Sequence, residues 1–97
     1  MIRVVKMTFQ KEKVNDFLAN FNANKTDIRG FDGVEYLELL KDKNNPHVFF
    51  TYSVWESEAH LENYRKSDLF KSVWSKTKPL FSEPAEAWSM DSITQLT

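Results

Sequence analysis

The side chains of this sequence that could carry chemistry are mainly aromatic rings and hydroxyls. Cysteine is absent, and histidine and glycine each occur twice, whereas Phe, Tyr and Trp make up 14% of the residues. Each such aromatic lies in a protein core more often than in an active site. A functional role requires a closed apolar pocket with a few polar groups aimed inward. The candidates are Tyr36, Tyr52, Tyr64, Trp55, Trp74, Trp88 and His60.

The spacing of the histidines does not favour a metal site. His47 and His60 lie on different predicted elements. Glu56, His60 and Tyr64 follow one another at intervals of four, so they share a face of any helix that begins early enough. One histidine and one carboxylate are too few ligands for a transition metal. We therefore expect no metal, and an ion pair or hydrogen bond at His60.

Motifs for nucleophilic catalysis and for nucleotide cofactors are missing. The sequence has no Gly-x-Ser-x-Gly segment and no cysteine. Gly30 and Gly33 precede a predicted strand rather than a helix, so they do not match a phosphate-binding loop. No cofactor is expected from these motifs.

Charge and hydropathy argue against two classes of partner. Thirteen basic and 14 acidic residues give a net charge of −1, and neither sign is concentrated in one region. A nucleic-acid-binding domain of this size usually carries a basic stripe. No apolar run has the length of a membrane span, and the N-terminus lacks the pattern of a signal peptide. We therefore expect a cytoplasmic protein without nucleic-acid or membrane partners.

The length of 97 residues predicts a single domain over residues 1–97. The aromatic content is high for a domain of this size. Two explanations remain open. The rings fill a Phe-rich core, or they line a cavity or a subunit interface, where large and stiff side chains are favoured.

The periodicity of apolar residues predicts the elements that position these side chains. Strands are predicted over residues 2–9, 34–42, 47–55 and 85–95, and a helix over residues 11–29 that ends at a Gly-Phe-Asp-Gly turn. Ser57 and Ser67 are predicted to cap two further helices. The order β-α-β-β-α-α-β predicts an α+β, ferredoxin-like fold with an antiparallel sheet.

The third strand carries large apolar residues on both faces. Phe50, Tyr52 and Val54 alternate with Phe49 and Trp55. Such a strand is covered on both sides, and this chain has too few helices to cover two. We therefore expect a homodimer.

Three segments resemble the antibiotic biosynthesis monooxygenase family. They are residues 30–34 (GFDGV), residues 49–61 (FFTYSVWESEAHL) and residues 64–70 (YRKSDLF). Members show a helix closed by a Gly-containing turn, a strand ending in Trp-x-Ser-x-x-Ala, and a helix leading into Ser-x-x-Phe. The resemblance spans nearly the whole chain and identifies fold and superfamily better than reaction.

This resemblance implies a dimeric α+β barrel of two ferredoxin-like subunits packed sheet to sheet. It also implies a monooxygenase that oxidises small aromatics such as quinols and anthrones with dioxygen, without metal or flavin. Tyr64 stands three residues before Ser67, where many members have a histidine, so Tyr64 and His60 are the catalytic candidates. Trp55, Trp74, Tyr52 and Phe70 are the expected substrate-binding residues.

A closer local likeness, to the haem-degrading branch of the family, does not extend to its functional residues. The first strand lacks the asparagine of that branch, Tyr64 replaces its tryptophan, and Trp74 stands where the haem-ligating histidine is expected. Haem degradation is therefore not expected. The alternative function is a small-ligand binding protein or isomerase of the same fold. Inward-pointing Arg3, Arg29 or Arg65 would favour an isomerase of a phosphorylated substrate, and a dry aromatic pocket would favour the oxygenase.

Overall fold

The computed structural model describes all 97 residues, from Met1 to Thr97. The elements are β1 (Ile2–Thr8), α1 (Val14–Arg29), β2 (Val34–Lys41), β3 (Val48–Trp55), α2 (Glu58–Arg65), α3 (Asp68–Thr77) and β4 (Glu86–Met90). Single 3-10 turns at Lys11–Lys13 and Lys78–Leu80 precede α1 and follow α3. The predicted order of elements is confirmed, although the first predicted helix begins as a 3-10 turn.

The four strands form one antiparallel sheet in the order β2-β3-β1-β4. This is the strand order of a ferredoxin-like fold, as predicted. Ile2, near the start of β1, pairs with Met90, at the end of β4. Because β1 offers few residues beyond this pair, β4 ends at Met90 and not near Gln95 as predicted.

Helix α1 covers one face of the sheet because its apolar residues recur at helical spacing. Phe17 and Ile28 on that face are buried. The helix ends at Gly30, whose N–H donates to the Thr26 carbonyl oxygen at 2.9 Å.

Serine caps fix the starts of the two shorter helices, as predicted. The Ser57 hydroxyl accepts a hydrogen bond from the His60 N–H, and the Ser67 hydroxyl accepts one from the Phe70 N–H. Each bond satisfies a backbone donor that the first turn of a helix leaves without a partner. None of the helices is long and apolar enough to cross a membrane.

Seven of the nine buried apolar residues form two separate clusters. The larger cluster contains Met7, Phe9, Phe17 and Phe49. The smaller cluster contains Val34, Trp55 and Leu61. The core is therefore interrupted in the middle of the domain.

The other face of the sheet carries apolar side chains without a covering layer. Val4 lies opposite Tyr52 on one side and opposite Trp88 on the other, and directly paired residues share a face. Tyr36, Leu40, Trp88 and Met90 are exposed by 40–46%. Large apolar groups on both faces of β3 are thus a property of the folded chain, as the pattern predicted.

Candidate functional site

A cavity of about 320 Å³ occupies the gap between the two clusters of the core. Met7 and Phe17 of the larger cluster and Val34, Trp55 and Leu61 of the smaller one all line it. Binding sites for small molecules have volumes of roughly 300–1,000 Å³, so this cavity suits a small ligand.

Aromatic side chains from β3, α2 and α3 form one wall of the cavity. The Tyr64 ring lies 5.3 Å from the Trp55 ring and 5.2 Å from each of the Phe31 and Phe70 rings. Phe70 in turn stacks on Trp74, with ring centroids 5.7 Å apart. The apparent excess of aromatic residues therefore has two uses, because the Phe cluster fills the core and this second group lines a cavity.

Tyr64 is the polar group of this wall. Burial raises the pKa of its hydroxyl to about 12, and no hydrogen bond contributes to the shift. At neutral pH the hydroxyl is therefore protonated, and it has a hydrogen to donate to a molecule in the cavity.

Three other polar side chains of the lining, those of Ser53, Trp55 and Thr77, make hydrogen bonds within the protein. The Trp55 indole N–H donates to the Ser53 hydroxyl at 2.9 Å, and the Thr77 hydroxyl donates to the Val73 carbonyl oxygen at 2.8 Å. The Asn20 amide also donates to the Thr77 hydroxyl at 3.2 Å. These groups are satisfied within the protein and leave the interior of the cavity largely apolar.

The cavity opens to solvent between α2 and β4, because Arg65 and Ala87 are the exposed residues of its lining. Arg3 lines the same side and donates to the Ser89 hydroxyl at 2.9 Å. Burial lowers the pKa of Arg3, the nearby charge of Arg65 lowers it further, and Glu62 opposes both effects. The mouth of the cavity is thus positively charged.

Arg29, the third arginine, is placed elsewhere. Its guanidinium donates to the carbonyl oxygens of Val34 and Glu35, at 2.9 and 3.1 Å. It therefore ties the end of α1 to the start of β2 and does not line the cavity.

The structure does not bring His60 to the cavity lining. Its Nδ1 atom lies 2.7 Å from the Ser57 hydroxyl, and its Nε2 atom lies 3.6 Å from Glu56 and 3.8 Å from Asp32. The imidazole packs against the backbone of Gly33. His60 therefore joins the turn after α1 to the start of α2, and its contact with Glu56 is the one that the i, i+4 spacing predicted.

Tyr52 also lies away from the cavity. It is on the uncovered face of the sheet, where its ring meets that of Tyr36 edge-on at 6.0 Å. Trp55, Phe70, Trp74 and Tyr64 are thus the predicted site residues that the structure brings together, and His60 and Tyr52 are those it does not.

No group of three His, Asp or Glu side chains is arranged to hold a metal ion. Glu56 and His60 lie side by side, but Tyr64, the third member of that spacing, packs with Trp55 and Phe70 in the cavity wall.

Several lining residues were not among the predicted site residues. Arg3, Val5 and Met7 alternate along β1 and therefore share the face that lines the cavity. The alternation was present in the sequence, but the pattern alone did not show which face of β1 the helices cover.

A ferredoxin-like sheet with helices on one face and a cavity between them defines a class of small α+β domains built around an internal pocket. The model of the antibiotic biosynthesis monooxygenase family matches residues 1–74, and the chain belongs to this family. A search of curated protein sequences finds no match.

Solved structures share the fold at low sequence identity. Rv0793 from Mycobacterium tuberculosis superposes with a TM-score of 0.89 at 14% identity, over 99% of this chain and 97% of that one. A conserved protein from Methanosarcina mazei has a TM-score of 0.83 at 23% identity, over 89% and 86% of the two chains. A protein solved as an antibiotic biosynthesis monooxygenase gives 0.89 at 16% identity, over 97% and 100%. These similarities establish the fold.

Proposed function

We propose that this protein is a cofactor-independent monooxygenase that oxidises a small aromatic substrate, such as a quinol or an anthrone, with dioxygen. The observation that carries the proposal is the aromatic cavity whose lining includes the largely buried, protonated hydroxyl of Tyr64. Membership of the family supports the same class of reaction.

The reaction balances without any further reactant. For an anthrone, the methylene carbon loses a proton to solvent at the mouth, and the resulting anion transfers electrons to dioxygen. One oxygen atom becomes the new carbonyl oxygen, and the other leaves as water with the two hydrogens of that carbon. The substrate thus supplies all four electrons.

The residues of the cavity would assist this reaction by stabilising an anion and excluding water. The negative charge of the deprotonated substrate resides mainly on its oxygen, and a hydrogen bond from Tyr64 would stabilise it there. The positive charge of Arg3 and Arg65 at the mouth favours the same anion. The apolar wall of Trp55, Phe70 and Trp74 shields the rest of the bound ring from bulk water.

The Tyr64→Phe variant tests this role. It keeps the ring and its packing but removes the donor, and losing one such donor typically reduces turnover about 10²–10³-fold. Oxygen uptake with an anthrone and with a quinol measures turnover, and added chelator should leave it unchanged. Tyr36→Phe is the matched control, since that hydroxyl bonds to Glu38 on the uncovered face. Unchanged turnover in Tyr64→Phe would remove this residue from the mechanism.

The second candidate is a small-ligand binding protein or isomerase of the same fold. The specific observation that favours it is that Arg3 and Arg65 line the cavity. Inward-pointing arginines were the feature expected of an isomerase that acts on a phosphorylated substrate. Saturable binding of an anionic ligand without oxygen uptake from any quinol or anthrone would favour this candidate over the oxygenase.

We further propose that two copies pair through the uncovered face of the sheet. Support comes from the exposed apolar residues there, among them Tyr36, Leu40 and Trp88. Monomeric proteins rarely leave a large contiguous apolar patch exposed. Sedimentation at micromolar concentration should give about twice 11.4 kDa. Val4→Glu, at the centre of the face, should shift the protein toward monomer, and a folded wild-type monomer would contradict the pairing.

A further inference from the structure

The mouth of the cavity holds a positive charge that the protein does not neutralise fully. Arg3 has no carboxylate within ion-pair distance, and its hydrogen bond goes to an uncharged hydroxyl, that of Ser89. Arg65 pairs with Glu62 at 3.0 Å. Two guanidinium groups and one carboxylate therefore leave one net positive charge beside the apolar interior.

An anionic ligand would complete this arrangement. A partly buried cation without an anionic partner loses hydration and gains little in return. The second cation, Arg65, adds repulsion. An anion placed at the mouth would relieve both effects, and a guanidinium presents paired donors that match the two oxygens of a carboxylate.

We propose that the ligand of this cavity is an aromatic carboxylate, with its ring among Trp55, Phe70 and Trp74 and its carboxylate at the mouth on Arg3. Arg65 acts as the second, longer-range cation. The proposal rests on the proposed function only in that the cavity takes a small aromatic molecule. One net positive charge matches a carboxylate of charge −1 better than a phosphate ester of charge near −2.

Matched ligands test the proposal. The probes are 2-naphthoate, its neutral analogue 2-naphthamide and 2-naphthyl phosphate, each titrated against the tryptophan fluorescence of the full chain. Trp55 and Trp74 line the cavity, so a ring bound there changes their emission. A charge-assisted contact of about 1.5 kcal/mol predicts that the carboxylate binds about tenfold more tightly than the amide.

Variants identify the residue responsible. Arg3→Gln should weaken binding of 2-naphthoate by about tenfold and that of 2-naphthamide by less than about twofold, because only the charged contact is lost. Lys66→Gln is the matched control, since it removes the same charge from an exposed residue beside Arg65 that does not line the cavity. The Lys66→Gln variant should retain the preference for the carboxylate.

The outcomes separate this inference from the proposed function. Equal binding of carboxylate and amide, or a preference that survives in Arg3→Gln, overturns the inference and leaves an aromatic-binding cavity in place. Tightest binding of the phosphate ester overturns it in favour of a phosphorylated ligand. Failure of all three probes to bind contradicts the aromatic-binding cavity itself. Should Arg3→Gln not fold, loss of the wild-type preference for the carboxylate at high salt tests the same contact.

Discussion

Replacing Gly33 with alanine should destabilise the protein far more than the same change at Gly30, three residues earlier in the same turn. Gly33 has a φ of +92°, a region that costs an L-residue about 1–2 kcal/mol. A methyl group there would also lie 2.6 Å from the His60 Cδ2 atom and closer still to Cβ and Cγ. His60 would have to move away as a whole, because its Cβ atom overlaps as well as its ring.

Displacement of His60 adds to the free-energy cost of placing alanine at a positive φ. His60 would give up the hydrogen bond between its Nδ1 atom and the Ser57 hydroxyl, at 2.7 Å, which contributes about 1 kcal/mol. The sum predicts a loss of about 2–3 kcal/mol for Gly33→Ala. In a domain of this size that lowers the melting temperature by roughly 10–25 °C.

Gly30→Ala is the matched control. Its φ of −82° suits any residue, and its new methyl would meet the Thr26 carbonyl oxygen at 3.3 Å, a tight but tolerable contact. The free energy of unfolding should change by less than about 1 kcal/mol.

A double-mutant cycle separates the two causes of the effect at Gly33. Urea unfolding of Gly33→Ala, His60→Ala and the double variant, all at one protein concentration, gives the coupling energy. His60→Ala removes the Cγ and Cδ2 atoms but keeps Cβ, so it relieves part of the overlap with the new methyl group. The double variant should therefore be about 1 kcal/mol more stable than the sum of the single losses implies. If Gly33→Ala and Gly30→Ala lower the free energy of unfolding by amounts within about 0.5 kcal/mol of each other, the reasoning is refuted.

Three further predictions follow from burial and capping. Phe9 is 1% exposed and stacks on Phe17 at 4.1 Å. Phe9→Ala should therefore lower the free energy of unfolding in urea by about 3–5 kcal/mol. A loss under about 1 kcal/mol would contradict this prediction and show that neighbouring side chains move in to fill the space. Ser67→Ala removes the cap on the Phe70 N–H and should cost about 1 kcal/mol, a loss that Ser67→Asp should largely avoid. Tyr64, with its pKa raised to about 12 from 10, favours the folded state below pH 10, and this contribution is lost as the pH rises through 12. Ultraviolet titration should show a late phenolate step that Tyr64→Phe abolishes, and an unchanged titration curve would contradict the burial.

The sequence predicted the fold well because local signals and the global pattern agree. Serine caps at Ser57 and Ser67, the glycine turn after α1 and the alternation along β3 all mark elements that the structure contains. The misplaced end of β4 has a different origin. Residues after Met90 have strand-like composition, but β1 provides few further residues to pair with them.

The site was harder to predict, because it depends on which face of each element the fold covers. The alternation along β3 already places Tyr52 and Trp55 on opposite faces of the sheet. No pattern in the sequence shows which of these two residues points toward the helices. Helical spacing likewise groups His60 with Tyr64, but one turn of helix is enough to move a side chain from the cavity to the Gly33 turn. The arginines of the mouth come from β1 and α2, far apart in sequence, so only the folded chain brings them together.

The position of β4 at the mouth bears on how a molecule enters the cavity. This strand pairs only with β1, and all five of its residues are exposed, yet its Ala87 forms part of the lining. A short edge strand of this kind opens locally at a lower free energy than the central strands. Fraying of β4 would therefore widen the entrance without disturbing the core, and the rate of ligand entry would follow strand opening. Amide hydrogens of β4 should exchange faster than those of β3, and an occupant of the cavity should slow them.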